Sequence, residues 1–368
     1  MDRQIFDAIV IGAGIAGATS GAHLSATHRV ALLEAEDSAG YHTTGRSAAI
    51  WILSYGSADA RILTGASRSF FEAPPAGFTE VSLAHARPVL TLASEQDRTE
   101  LEASLDEGRV PITLDAARAM VPAIRADHTV AAAIEYDSFD IDVAALHQGF
   151  LKLLRSRGGD LSLRSQAGRI WYEAGLWHAE TAGGDIFAAP VIVNAAGAWG
   201  DVVAKMAGVR AIGLQPKRRT ALIIDPGQYD TANWPMVADI GHSWYVRPEA
   251  RSKLMVSPAD ETDSEPCDAQ PDELDVAIAI DRMQQALDIP VNRVEHRWAG
   301  LRSFTRDRGL AIGASEMPGF YWFCGQGGYG IQTAPAAGRL LAQLVRGEEP
   351  DADLRAALAP TNPLRFAA

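Results

Sequence analysis

The chain has 368 residues, 47% hydrophobic and 21% charged, which suits a folded protein large enough for two domains and excludes a disordered chain. Its formal net charge of −13 argues against nucleic acid or an anionic membrane surface as a general partner. Two cysteines, Cys267 and Cys324, form neither a disulfide framework nor a metal motif, so no metal is expected. No basic-then-apolar leader and no long apolar run is visible, so the expected setting is cytoplasmic, with peripheral membrane association left open.

The first element is a short apolar strand, Ala8 to Ile11. Glycines follow at Gly12, Gly14 and Gly17, with Ile15 and Ala16 between them, and small residues continue to Ala22. A second apolar run, Arg29 to Leu33, ends at Glu34 and Ala35. This spacing predicts a β-α-β unit. Gly12 makes the tight turn, Gly14 admits a pyrophosphate, and Gly17 lets the helix sit close on the sheet. Glu34 stands where a carboxylate accepts ribose hydroxyls. The motif alone leaves FAD and NAD both open.

Next comes a polar, glycine-bracketed loop, Gly40 to Ala49, holding Thr43, Thr44, Gly45, Arg46, Ser47 and Ala48. It reads as a phosphate- or ring-binding loop. Asp59 to Glu72 predicts an amphipathic helix stopped by Pro74 and Pro75. Strands are expected over Val81 to Ala93 and Ala132 to Tyr136. Helices are expected over Glu95 to Glu107 and Val143 to Arg155. Ile170 to Ala182 and Asp185 to Ala189 read as one hairpin about Gly183 and Gly184.

Val191 to Trp199 is a buried strand running into a small-residue turn, Ala195 to Ala198. A second backbone approach so far downstream suits an extended FAD better than NAD. Thr220 to Ile224, Ser243 to Arg247 and Lys253 to Ser257 read as antiparallel strands. Pro258 to Asp275 reads as a solvated acidic loop, and a helix is expected from Pro271 onward. Strands Leu310 to Ile312 and Phe320 to Cys324 precede Gly325-Gln326-Gly327-Gly328-Tyr329-Gly330, a second glycine turn feeding a helix from Ile331 to Arg346. Its N-terminus suits a group carrying negative charge.

These stretches together resemble the D-amino-acid oxidase superfamily nearly end to end. Within it, Gly40–Ala49, Pro74–Phe78, Leu214–Arg219, Trp298–Phe304 and Gln326–Thr333 look most like the bacterial D-arginine dehydrogenases. The resemblance implies an α/β fold. A Rossmann-like FAD domain (1–85, 146–205, 303–368) would be interleaved with a mostly antiparallel α+β substrate domain (86–145, 206–302). It also implies non-covalent FAD, with Ala167, Ala196, Gly197, Trp199, Ile331 and Gln332 among its contacts.

The implied reaction converts a D-amino acid to the imino acid, then to the 2-oxo acid and ammonia, by hydride transfer from Cα to flavin N5. Carried over by position, Arg219, Tyr245 and Arg302 would hold the substrate carboxylate. Tyr55 would lie over the substrate, and Gly328 would offer a carbonyl to its amine. The chain departs from the arginine enzymes at Ile50, Ile52 and Val89, all apolar here where a histidine, a threonine and a glutamate stand there. With Met236 and Ala238 these imply a wall suited to an apolar side chain rather than a guanidinium. His42 is expected to pack in its loop rather than act as a base. A 2-hydroxy acid dehydrogenase and a non-catalytic flavin subunit are the alternative readings. The electron acceptor, whether oxygen, a quinone or a carrier, stays open.

Overall fold

The structure is a computed structural model that describes residues 3–105, 108–249 and 252–367. Asp106 and Glu107, the end of one expected helix, fall outside these residues.

Apolar runs at the expected positions build a six-stranded sheet in the order Asp160–Ser162, Val30–Leu33, Ala8–Ile11, Val191–Asn194, Phe320–Cys324, Ala311–Ala314. All neighbours are parallel except the last pair. Strands Ala8–Ile11 and Val30–Leu33 are buried at every position, as a sheet covered on both faces requires. Helices Ile15–Leu24, Val143–Ser156 and Gly330–Val345 cover one face, and a small sheet holding Ala167–Glu173, Leu176–Thr181 and Ile186–Ala189 covers the other. This sheet draws strands from three distant parts of the chain, so its carboxyl edge collects three separate turns. Ligands of open α/β sheets bind at such an edge.

The second large sheet has nine strands and is mostly antiparallel. Strand Gln215–Ile224 pairs along its whole length with Val294–Phe304. Sheet order then runs through Lys253–Ser257, Tyr245–Glu249, Met236–Asp239 and Val89–Ala93 to Ala131–Glu135. Its outer face packs on helix Glu273–Ala286 through Val246, Val256, Ala279 and Met283. Its inner face lines a cavity shared with the first sheet.

Several boundaries differ from expectation. Ile170 to Ala182 is itself a hairpin, Ala167–Glu173 and Leu176–Thr181, because Ala174 and Gly175 turn the chain with φ of 51° and 81°. Val81 to Ala93 splits into Ala84–Ala86 and Val89–Ala93 around Pro88. The acidic stretch Pro258 to Asp275 is not simply solvated. Buried Asp260 accepts the Thr220 N–H and hydroxyl at 2.6 and 2.9 Å, and Asp268 meets Arg46.

Candidate active site and cofactor cavity

The glycine turns enclose a cavity of about 900 Å³ that runs from Glu34 and Ala167 to Arg219 and Val89. That is the upper end of the usual size for a cofactor or ligand site.

Gly12 makes the first turn with φ of 95°. Its N–H bonds to the Leu33 carbonyl at 2.8 Å, locking the turn to the neighbouring strand. Glu34 is 8% exposed and accepts the N–H of Ala13 at 2.8 Å on one oxygen and that of Glu36 at 3.0 Å on the other. A carboxylate has about four lone-pair sites. Capacity therefore remains for hydroxyl donors in the cavity. Thr44 Oγ1 accepts the Ile15 N–H at 2.9 Å, so the loop caps the helix whose N-terminus opens on the cavity. The downstream turn is held from beneath: Asn194 Nδ2 donates to Gly200 O at 2.7 Å and its Oδ1 accepts the Ala196 N–H at 3.3 Å. Gly14, Ala16, Ala35, Thr43, Ser47, Ala48, Ala49, Ala167, Gly197 and Trp199 complete this arm, and Gly327, Gly330 and Ile331 reach it from the second glycine turn.

Three expected cofactor residues do not line the cavity. Gly17 sits on the Gly12 carbonyl, where a Cβ would come to 1.7 Å of that oxygen. Gly45 closes the loop by donating to Gly40 O at 2.7 Å. Tyr329 is buried behind Tyr55, ring centroids 5.6 Å apart, with its hydroxyl on Arg308 O at 3.2 Å. All three act by support rather than contact.

Two others line it but spend their polar groups on protein. Arg46 donates to the Ala269 and Ala299 carbonyls at 3.0 and 2.9 Å and to Asp268 at 2.5 Å. It straps the loop to the second sheet rather than offering its fork to a phosphate. Gln332 pairs with the Ile52 backbone, at 3.3 Å to the N–H and 3.4 Å to the carbonyl. His42 bonds to Glu36 at 2.9 Å and packs on Trp199 with centroids 4.7 Å apart, a loop residue as expected.

At the other end, Arg219 pairs opposite Gly300 and Lys217 opposite Arg302, so both arginines leave one face of the same ladder. Arg302 Nη1 donates to Tyr55 Oη at 3.3 Å. A Cβ on Gly328 would lie 2.8 Å from that hydroxyl and 2.9 Å from the same nitrogen. Burial, and then the like charge of Arg302, lowers the Arg219 pKa. Burial alone would raise the Tyr245 phenol, but Arg302 and Arg219 outweigh it and hold it below its ordinary value. Burial pulls Arg302 down, and Tyr55, Tyr245 and Glu261 turn its net shift upward. Two guanidiniums and two phenols thus line one cavity together, a set of groups able to hold an anion.

Ile50, Ile52, Val89, Met236 and Ala238 all line the same end. On their sheet the lining residues alternate: Val89 and Thr91, Met236 and Ala238, Arg219 and Ala221. The wall is not wholly apolar, however. Glu135, absent from the sequence reading, also lines it, 4% exposed and directly opposite Val89. Its Oε2 accepts the Ser54 hydroxyl at 2.7 Å. Burial raises its pKa, against the Ser54 bond and the field of Arg109. Glu261 was missed as well. Arg308 holds it at 2.7 and 3.0 Å, and it stands 3.6 Å from Arg219. Among the described residues no cluster suits a metal ion.

The family model described as "DAO: FAD dependent oxidoreductase" matches residues 7–344. The chain belongs to this family. The cavity fits its cofactor: a ribose-type acid, two helix N-termini and three backbone turns line one continuous trough. FAD is the cofactor. FAD-dependent oxidoreductase domain-containing protein 1 of Bos taurus is 28% identical over 176 residues, 42% of this chain and 35% of that protein. The mouse protein of that name is 26% identical over 171 residues, again 42% of this chain and 35% of the relative. The chain thus spans about a third of the length of these curated relatives. Among solved structures, L-proline dehydrogenase from P. horikoshii superposes with a TM-score of 0.84 at 20% identity, covering 100% of this chain and 99% of that one. Glycine oxidase from Geobacillus kaustophilus gives 0.85 at 20% identity, covering 98% and 99%. These likenesses show the fold. No helix among the described residues is long and apolar enough to cross a membrane.

Glu34→Ala removes the carboxylate bonds to Ala13 N in the turn and to Glu36 N, and with them the acceptor expected for a ribose hydroxyl. With charge-assisted bonds worth about 1.5–3 kcal/mol each, FAD affinity is expected to fall roughly ten- to a hundredfold. Titration of the apoprotein with FAD, followed by fluorescence quenching, measures it, and an affinity equal to the parent's would remove Glu34 from the cofactor site.

Proposed function

We propose that the chain oxidises the Cα–N bond of a D-amino acid to the imino acid, which water then converts to a 2-oxo acid and ammonia. The observation that carries this is the convergence of Arg219, Arg302, Tyr245 and Tyr55 on one another, with Gly328 against Arg302 and Tyr55, in the cavity that the FAD glycine turns line. Bound FAD supplies the acceptor for a hydride. The protein's own work is positioning. The clamp fixes the carboxylate by charge and by fork geometry, which turns Cα toward the trough. The Gly328 backbone lies beside the clamp and is placed to meet the amine. A neutral amine needs no strong base, so this chemistry does not depend on a catalytic histidine beside the clamp. The D configuration rests on the resemblance of the clamp motifs, as does the two-domain division 1–85, 146–205 and 303–368 against 86–145 and 206–302.

The aliphatic residues Ile50, Ile52, Val89, Met236 and Ala238 favour a hydrocarbon stem next to Cα. The expected preference for apolar side chains over D-arginine rests on Ile50, Ile52 and Val89 together; Glu135, opposite Val89, adds a buried acid to that wall.

The purified protein should release one FAD on heat or acid treatment. An anaerobic screen of D-amino acids, L-amino acids and 2-hydroxy acids, read as bleaching of the flavin absorbance, tests the reaction. Bleaching by D-amino acids alone is expected. Faster bleaching by L-amino acids or 2-hydroxy acids would overturn the assignment.

A further inference from the structure

We propose that Glu135 reads the far end of the substrate side chain, so that the pocket selects long D-amino acids ending in N–H donors. This rests on the reading of the site as an amino-acid oxidation site.

The placement comes from the sheet. Glu135 lies opposite Val89, and Met236 and Ala238 stand on the next strand, with Tyr245 opposite Ala238. All of these line the cavity from one face. Glu135 therefore lies three strand spacings, about 14 Å, from the strand carrying Tyr245. The two side chains reach inward from either end. The space between them is on the order of an amino acid with a side chain of four to six heavy atoms. Its stem would run over Ile50, Val89 and Met236.

The chemistry fits the placement. A carboxyl that is 4% exposed in a largely aliphatic wall is costly unless donors satisfy it. The structure gives it the Ser54 hydroxyl and the Ser54 backbone, while the residue lines the cavity. An N–H donor on the ligand supplies a further bond, and an apolar terminus leaves the acid dry and less satisfied. Cationic and neutral donors are both compatible: burial raises the pKa of the acid, against its Ser54 bonds and the field of Arg109. Ser54 also precedes Tyr55, so one loop touches both ends of the substrate.

A purely structural Glu135 would only pin that loop. The test is therefore a specificity ratio. Flavin-loaded parent, Glu135→Gln and Glu135→Asp are compared on D-norleucine, D-lysine, D-arginine, D-citrulline and D-homoarginine. Reduction kinetics give kcat/KM, and the flavin spectral change with the non-oxidisable Cα-methyl analogues gives Kd. The parent should favour the donor-bearing substrates over D-norleucine, and D-citrulline against D-arginine tells a neutral donor from a cation. Glu135→Gln should shrink that ratio about tenfold, the effect of one charge-assisted bond. Glu135→Asp withdraws the acceptor by about 1.5 Å, so the optimum should move from D-arginine toward D-homoarginine.

Parent preference for D-norleucine overturns the inference. So does a donor ratio within twofold of the parent's in the variants. If Glu135→Gln does not fold, the parent profile and the chain-length shift of Glu135→Asp decide. A parent that binds and oxidises no D-amino acid overturns the underlying function as well, a result distinct from oxidation that ignores Glu135.

Discussion

Arg302→Ala will lower kcat/KM for the proposed amino-acid substrate by roughly 30- to 3000-fold while the protein stays folded and yellow. The guanidinium lies beside Gly328 and holds Tyr55 at 3.3 Å, so its loss removes one arm of the anion site and frees the phenol. Truncating one partner of a buried, hydrogen-bonded charge pair costs about 2–5 kcal/mol, and each 1.4 kcal/mol is about tenfold. The loss should exceed that from Arg219→Ala, because Arg219 is also held by Asp260 O at 2.8 Å and faces Glu261. Arg302→Lys keeps the charge without the fork and should recover only part.

Thermal stability should move the other way in Arg219→Ala. Arg219 and Arg302 are like charges brought together, and Arg302 lowers the Arg219 pKa. Removing Arg219 takes away the charge the fold disfavours and leaves Arg302, whose charge Tyr55, Tyr245 and Glu261 favour, so the melting temperature of that variant is expected to hold or rise while activity falls, as where a site stores strain for function. Equal turnover of a D-amino acid and its amide by the parent, or a melting temperature that falls together with activity, would sink the clamp assignment.

The parts of the fold visible in the sequence are those whose cause is local. The glycine spacing at Gly12, Gly14 and Gly17 and the apolar runs around it dictate a β-α-β unit by themselves. Helix Ala58–Glu72 announces itself by period and by the prolines after it. Strand Met236–Asp239 does not: its place is set by parallel pairing with Val89–Ala93, far away in the chain. Strand Val294–Phe304 is similar, its polar half readable only beside Gln215–Ile224.

The site divides along the same line. Residues in glycine motifs were legible because backbone approach needs glycine whatever the surroundings. Which motif residues touch the cavity and which prop it from behind was not, since Gly17, Gly45 and Tyr329 carry the same spacing as their neighbours. Arg46 looked like an anion binder until the acidic stretch around Asp268 was seen to occupy it. Glu135 left a faint signal, one acid closing the apolar strand Ala131–Glu135. Period two places it with Ala133, but only the pairing partner reveals that this face is the pocket.

Gly17→Ala should be the most damaging glycine-to-alanine change among the described residues. Its Cβ would fall 1.7 Å from the Gly12 carbonyl oxygen, 2.9 Å from that carbonyl carbon and 3.2 Å from Leu32 Cδ1. The first two are backbone atoms and no rotamer relieves them. Gly12 has no room to retreat, because it sits at φ of 95° and its own Cβ position is 2.7 Å from the Ala195 carbonyl oxygen. The helix Ile15–Leu24 would have to lift off the sheet instead. Lifting it strains the Thr44 bond to Ile15 N at 2.9 Å and the Glu34 bond to Ala13 N at 2.8 Å, which shape the turn the pyrophosphate would meet. Ordinary overpacking costs about 1–3 kcal/mol. A backbone collision of this depth should exceed that and leave the protein colourless or insoluble. Gly14→Ala is the control: its nearest contact is the Thr44 hydroxyl at 3.2 Å, a side-chain atom. It should fold and lose FAD affinity only. The ratio of flavin to protein absorbance and the thermal midpoint of both variants decide the matter. A yellow, parent-like Gly17→Ala would mean that the helix can ride over Gly12, and that the close packing here is not what fixes the cofactor turn.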